Sequence, residues 1–341
     1  MLEGFSTNAT GAKIRAIYST MFTPENYREL MARKTVPECA EYLSRSERFR
    51  DAFREVDPNT VHRGFLEELL YRENFNTYIR LCRFQGLDKE PFYDFLLKRT
   101  VVENLLGVIN NINSSLDGSY LRELPGYLVR HMGEKLAEVS RSTTYQELLT
   151  SLKGTEYYRI LSRIPLREDG EADYVECERR LRNYYYAGLL QDADKVAGGG
   201  SELRELILRE IDHRNIINAY RMKTYFGYTP EEIAKRSLSF TAVGKRTMER
   251  IYSAPDPEKM LEEISSTVYG RGSPETDNIE IKLNTVRVRR LRHKLEVSTS
   301  APLSLYVFMQ LCDIDVSNIV HIIEGIRYGA EPSVVESQLV C

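Results

Sequence analysis

The chain has 341 residues, 42% of them hydrophobic and 28% charged, with a formal net charge of -3. That balance suits two or three domain-sized units or one long repeat array, each with a real core, and excludes bulk nucleic-acid binding, which needs a basic surface to displace phosphate counterions. No apolar run approaches the roughly 20 residues that span a bilayer, and the opening MLEGFSTNATGAKIRAIYS lacks a signal-peptide layout, so a cytoplasmic protein without a span of its own is expected.

Helix starts recur along the chain. Thr23-Pro24 pairs an N-cap with proline at the first helical position, and Thr35-Val36-Pro37-Glu38 adds a glutamate at capping-box spacing. Near residue 75 comes ENFNTYIRLCRFQGLDKEPFYDFLL, where Glu73 and Asn76 stand three apart ahead of Ile79 and Gly86. Thr144-Tyr145-Gln146-Glu147 repeats the capping spacing. Tyr184-Tyr185-Tyr186 follows a charged helix and is read as core packing, with the rim of a contact surface as the other reading. AGGGS, from Ala197 to Ser201, predicts a break between long helices. Leu203, Leu206, Ile207 and Ile211, then Ile216, Ala219 and Tyr220, keep the three-and-four spacing of an amphipathic helix.

Further on, Thr229-Pro230-Glu231-Glu232 is a full helix-start signal, and Asp256-Pro257-Glu258 is another. KLNTVRVRRLRHK carries Lys282, Arg287, Arg289, Arg290, Arg292 and Lys294 with hardly an acid among them. VRVRRLRHKLEV alternates briefly, but its spacing also fits a helix. The predicted fold class is all-α.

The pattern D-x-x-N-I-[IV] occurs twice, at Asp212, Asn215, Ile216, Ile217 and at Asp315, Asn318, Ile319, Val320. Each is followed by a glycine (Gly227, Gly329), a proline and a second apolar run; Glu73, Asn76 and Gly86 form a weaker copy upstream. A capped helix precedes each copy. The expected organisation is therefore three copies of one helical unit, at 10–118, 119–239 and 240–341. An acid and an asparagine at i and i+3 share a helix face. Buried, the asparagine can donate and accept while the carboxylate holds an arginine or backbone N–H groups, which fixes adjacent helices. A helix-dipole acid beside a satisfied asparagine is an equal reading. Both are architecture, with no catalytic role.

No G-x-x-x-x-G-K-[ST], G-x-S-x-G or H-E-x-x-H motif is present. His62, His131, His213, His293 and His321 never pair at metal-ligand spacing and are read as surface or helix-face residues. Cys39, Cys82, Cys177, Cys312 and Cys341 are scattered, which fits reduced thiols, mostly small core residues, better than a disulfide frame or zinc site. No catalytic residue, cofactor or metal is expected. The basic stretch at Arg287, Arg289, Arg290, Arg292 and Lys294 reads either as a solvated helix or as a contact for acidic partner residues or anionic headgroups.

EIDHRNIINAYRMKTYFGYTPEEI resembles the E-x-D-x-x-N-[IL]…R-x-K…G…P-E-E-[IL] signature of the C subunit of the prokaryotic V/A-type ATP synthases, whose counterpart in eukaryotic vacuolar ATPases is the d subunit. APLSLYVFMQLCDIDVSNIVHIIEGIRYGAEPSVVESQLV is similar to that family's ending, and GAKIRAIYSTMFTPENYRELMARKTVPECAEYLSRS to its opening. The resemblance implies a funnel of three pseudo-threefold-related helical units. It further implies one copy per complex, seated on the cytoplasmic face of the membrane proteolipid ring as a socket for central-shaft subunits of the D/F type. Such a rotor component carries no nucleotide or ion site. The competing expectation is a helical-repeat adaptor unrelated to any ATPase.

Overall fold

The computed structural model describes residues 2–85, 90–114, 138–167, 170–196, 199–276 and 278–341. In chain order the helices are α1 (Leu2–Tyr18), α2 (Pro24–Met31), α3 (Val36–Arg45), α4 (Arg63–Gln85), α5 (Phe95–Asn113), α6 (Tyr145–Ser151), α7 (Glu156–Leu161) and α8 (Tyr174–Asp194). They continue with α9 (Gly200–Phe226), α10 (Pro230–Arg236), α11 (Lys245–Tyr252), α12 (Pro257–Ser266), α13 (Ile279–Val297), α14 (Ala301–Tyr328) and α15 (Pro332–Ser337). Among the described residues the only pairing of strand type is an isolated antiparallel bridge, Leu166 to Ala172. The fold is all-α, and VRVRRLRHKLEV lies within helix α13.

The caps sit where the sequence places them, with differences in detail. Thr229 and Glu232 complete a reciprocal capping box at the start of α10. At α3 and α6 the threonines Thr35 and Thr144 accept from the N3 amides, but Glu38 and Glu147 reach one residue further back, to the amides of Lys34 and Thr143. Thr23 forms a full box with Asn26, a partner outside the Glu/Gln pattern. Of AGGGS, Ala197 and Gly198 lie outside the described residues; α8 ends at Asp194 and α9 begins at Gly200 after Gly199 at φ 111°.

The chain forms two compact units, Met1–Lys89 with Ile264–Cys341, and Glu90–Glu263. In the first, α14 is the centre, and α1, α4 and α13 pack most extensively on it, with α2 and α3 beside them. Val316, Ile319, Ile322 and Ile323 of α14 share one core with Leu30, Leu43, Phe49, Leu66, Leu69 and Leu70; Val335 and Leu339 close it. Each such side chain stabilises by about 1.5–3 kcal/mol when fully buried.

The sequence expectation that no apolar run approaches membrane-spanning length needs correction. By length and composition α14 is such a run, and 78% of its apolar window is buried inside the protein. Its apolar surface is a core covered by neighbouring helices, and Asp315 and Asn318 lie buried within it.

In the second unit α8 packs against both α5 and α9. Leu181, Tyr185, Tyr186 and Leu189 of α8 are buried, as are Ile207, Ile211 and Ile216 of α9 and Leu105 and Ile109 of α5. The tyrosine triplet divides by helical geometry. Tyr185 and Tyr186 face the core, Tyr186 donating from its hydroxyl to Glu210 Oε1 at 2.8 Å, while Tyr184 is 42% exposed and meets Tyr157 edge-on.

Candidate functional site

The two strong copies of the acid-x-x-Asn motif build the same device, one in each unit. On α9, Asn215 Nδ2 donates to the carbonyl of Leu238 at 3.1 Å, and Asn215 Oδ1 accepts from the Leu238 amide at 2.9 Å. On α14, Asn318 Nδ2 donates to the Val340 carbonyl at 2.8 Å and Oδ1 accepts from the Val340 amide at 3.1 Å. Between clasp and clasped residue the chain makes the same excursion. The long helix ends at a left-handed glycine, Gly227 (φ 62°) or Gly329 (φ 65°), where a side chain would be strained. A proline-started short helix follows, α10 or α15, and the returning chain is pinned by the asparagine.

The acids diverge. Asp212 Oδ2 accepts from the amides of Ala242 (2.9 Å) and Val243 (3.1 Å), so it anchors a second length of returning chain. Asp315 instead accepts from the Tyr27 hydroxyl at 2.5 Å, tying α14 to α2. Burial pushes the Asp315 carboxyl up to about 6, against the Tyr27 hydroxyl bond and the Arg48 charge, which pull it down.

The third copy does not repeat the clasp. Asn76 is exposed and Gly86 lies outside the described residues. Glu73 is buried and accepts from Thr77 (3.2 Å) and Arg80 (2.5 Å). The buried asparagine is Asn74, which donates to the Cys312 carbonyl at 3.0 Å and accepts from Arg48 at 2.7 Å. Sequence reasoning missed Tyr27, Arg48 and Asn74, because no spacing marks a polar residue whose partner lies hundreds of residues away, and it missed Thr77, which bonds Glu73 four residues before it.

The basic helix α13 spends much of its charge internally. Arg287 donates to Gln310 Oε1 at 2.8 Å, Arg289 to the Gly272 carbonyl at 3.1 Å, and Arg290 to the Val268 carbonyl. Arg292 lies beside Tyr18, and Lys294 is half-buried and engaged within the protein. Arg289 is the exposed member of the set. His213, read as a surface or helix-face residue, is buried on α9. Cys39, Cys82, Cys177 and Cys312 are buried free thiols, and Cys341 is exposed.

One regularity lies outside the motifs read from the sequence. Each long motif helix ends in exposed aromatics carrying a nearby cation: Phe84 under Lys13, Tyr225 and Phe226 before Tyr228 under Arg236, and Tyr328 under Arg327. Its signal in the sequence is an aromatic one or two residues before each motif glycine.

Known proteins match this chain over nearly its whole length. The sequence model of the ATP synthase (C/AC39) subunit family matches residues 10–338. The A-type ATP synthase C subunit of Methanosarcina mazei is 24% identical over 341 aligned positions, covering 96% of this chain and 91% of that protein. Those of Pyrococcus horikoshii and Pyrococcus abyssi are 27% and 26% identical, each covering 87% of this chain and 79% of the relative. The ordered motifs, the all-α fold and a match that leaves out only the chain ends agree: this chain belongs to the ATP synthase (C/AC39) subunit family.

Proposed function

We propose that this chain is a non-catalytic central-stalk subunit of a V/A-type rotary ATP synthase, coupling the soluble shaft to the membrane proteolipid ring. The observation that carries the reading is the family match over residues 10–338, with relatives named as the C subunit of A-type ATP synthases. In this role it is peripheral to the membrane on the cytoplasmic face, present once per complex, and bound to shaft subunits of the D/F type and to the ring. The organisation into helical units 10–118, 119–239 and 240–341, and the funnel they would form, belong to the same proposal.

A coupler must not yield under load. Each charge crossing 100 mV delivers about 2.3 kcal/mol, and several load the joint before one ATP is made. The clasps at Asn215 and Asn318 suit that demand, since each locks a short helix and its return to a helix roughly 40 Å long. The basic helix enters the proposal as a contact surface, through Arg289 first, while the other charges of the set, Arg287, Arg290, Arg292 and Lys294, also brace the fold.

The test mixes the purified chain with the central-shaft subunits and with detergent-solubilised ring and measures complex mass by light scattering. A stable one-to-one complex with either is expected. A folded helical monomer that joins neither would overturn the reading in favour of an unrelated adaptor.

A further inference from the structure

In the second unit a cleft of about 560 Å³ opens between α7 and α8, lined by Arg159, Arg163, Arg179, Arg180, Glu156 and Asn183 among others. Four guanidiniums thus converge on one concavity of a chain whose net charge is -3. Their internal compensation is incomplete. Arg159 pairs with Glu156 at 2.6 Å, and a single carboxylate, Glu176, serves both Arg179 (2.7 Å) and Arg180 (2.6 Å). Arg163 is exposed and has no hydrogen bond or ion pair among the described residues. Two carboxylates against four guanidiniums leave a local excess of positive charge. The Arg159 side chain, 70% exposed, is open to a partner.

The flanks say what kind of anion fits. Along α8, Val175, Arg179 and Asn183 fall at successive i, i+4 positions, and Arg180 is followed at i+4 by Tyr184. Tyr184 is exposed and braced edge-on by Tyr157 of α7 at 5.8 Å, and Ile160 of α7 lines the cleft beside the arginines. A free phosphate ion would use the guanidinium forks and leave the apolar flanks in water. An acidic segment of a protein, carrying carboxylates between apolar side chains, satisfies both.

We propose that this arginine cleft docks an acidic segment of another subunit of the same rotary complex. The proposal rests on the assembly reading above and deepens it by naming a surface and the charge of its partner. Placed at the rim of an interface, the arginines steer encounter, so their effect appears in the association rate and its salt dependence.

The experiment immobilises the rotary subassembly purified without this chain and follows binding of full-length wild type, R159E/R163E and R159K/R163K at 50 and 300 mM salt. Wild type should associate at least about tenfold faster at low salt than the charge-reversed protein, with the lysine variant recovering most of the difference. Unaltered helical circular dichroism and melting confirm that each variant folds. Should the double reversal unfold, R163Q alone carries the test, because Arg163 makes no internal bond among the described residues. Equal rates for wild type and folded reversed protein overturn the cleft and leave the assembly reading standing. No binding by wild type overturns both. Abolition of binding by 10 mM inorganic phosphate, with saturable phosphate binding to the free chain, makes the cleft a small-anion site and overturns the acidic-segment proposal.

Discussion

Asn215 and Asn318 each commit both functions of their amide to one backbone position, which is why they are buried while Asn76 is exposed. Truncating either removes the partner of a backbone carbonyl and of a backbone N–H at once. Asn215→Ala and Asn318→Ala should each cost about 2–3 kcal/mol in urea unfolding, and Asn76→Ala less than about 0.5 kcal/mol. Comparable costs at all three positions would refute the distinction. Asp315 adds a pH signature. Its folded carboxyl titrates near 6, above the ordinary aspartate value, so between about 4 and 6 the folded chain holds a proton that the unfolded chain has lost. Stability from this group is therefore full below about pH 4, declines as pH rises through 6, and is flat above. The stability of wild type minus that of Asp315→Asn should rise by up to about 3 kcal/mol as the pH falls from 7 to 4. A flat difference across that range would show that Asp315 titrates normally.

Among the elements, the hairpin of α14 and α15 depends on close approach as well as on the clasp. A Cβ at Gly325 would stand 2.5 Å from Cγ2 of the buried Val335, leaving no room for a methyl group. Gly325→Ala should cost about 1–3 kcal/mol by overpacking. Gly107, exposed within α5 with open space where its Cβ would stand, should behave oppositely. Gly107→Ala is expected to stabilise by about 0.5–1 kcal/mol, because the glycine there contributes only backbone entropy to the unfolded state. Thermal melting of the two variants checks the pair; the same sign for both would contradict this account of their packing.

For the whole molecule, the distribution of core along the chain decides what can fold alone. The unit Glu90–Glu263 is one continuous stretch, whereas the other joins the two ends of the chain around α14. Residues 90–263 expressed alone should show helical circular dichroism and a cooperative urea transition. Residues 1–89 alone should not, since the apolar faces of α1, α2 and α4 then lack the helix that covers them. A cooperative fold from 1–89 would mean that its own helices suffice for a core.

The helices, most of their starts, both strong motif copies and the family resemblance could all be read without coordinates. These rest on local chemistry: a threonine three residues from an amide, apolar spacing of three and four, a glycine where φ must be positive. The pairing of Asp315 with Tyr27, the switch from Asn76 to Asn74, the covering of the apolar α14 and the convergence of Arg159, Arg163, Arg179 and Arg180 could not. Each depends on which residues distant in the chain become neighbours. Spacing along one helix records only which face a side chain occupies; packing determines what that face meets, and so whether an apolar helix is a core and whether an arginine braces the fold or waits for a partner.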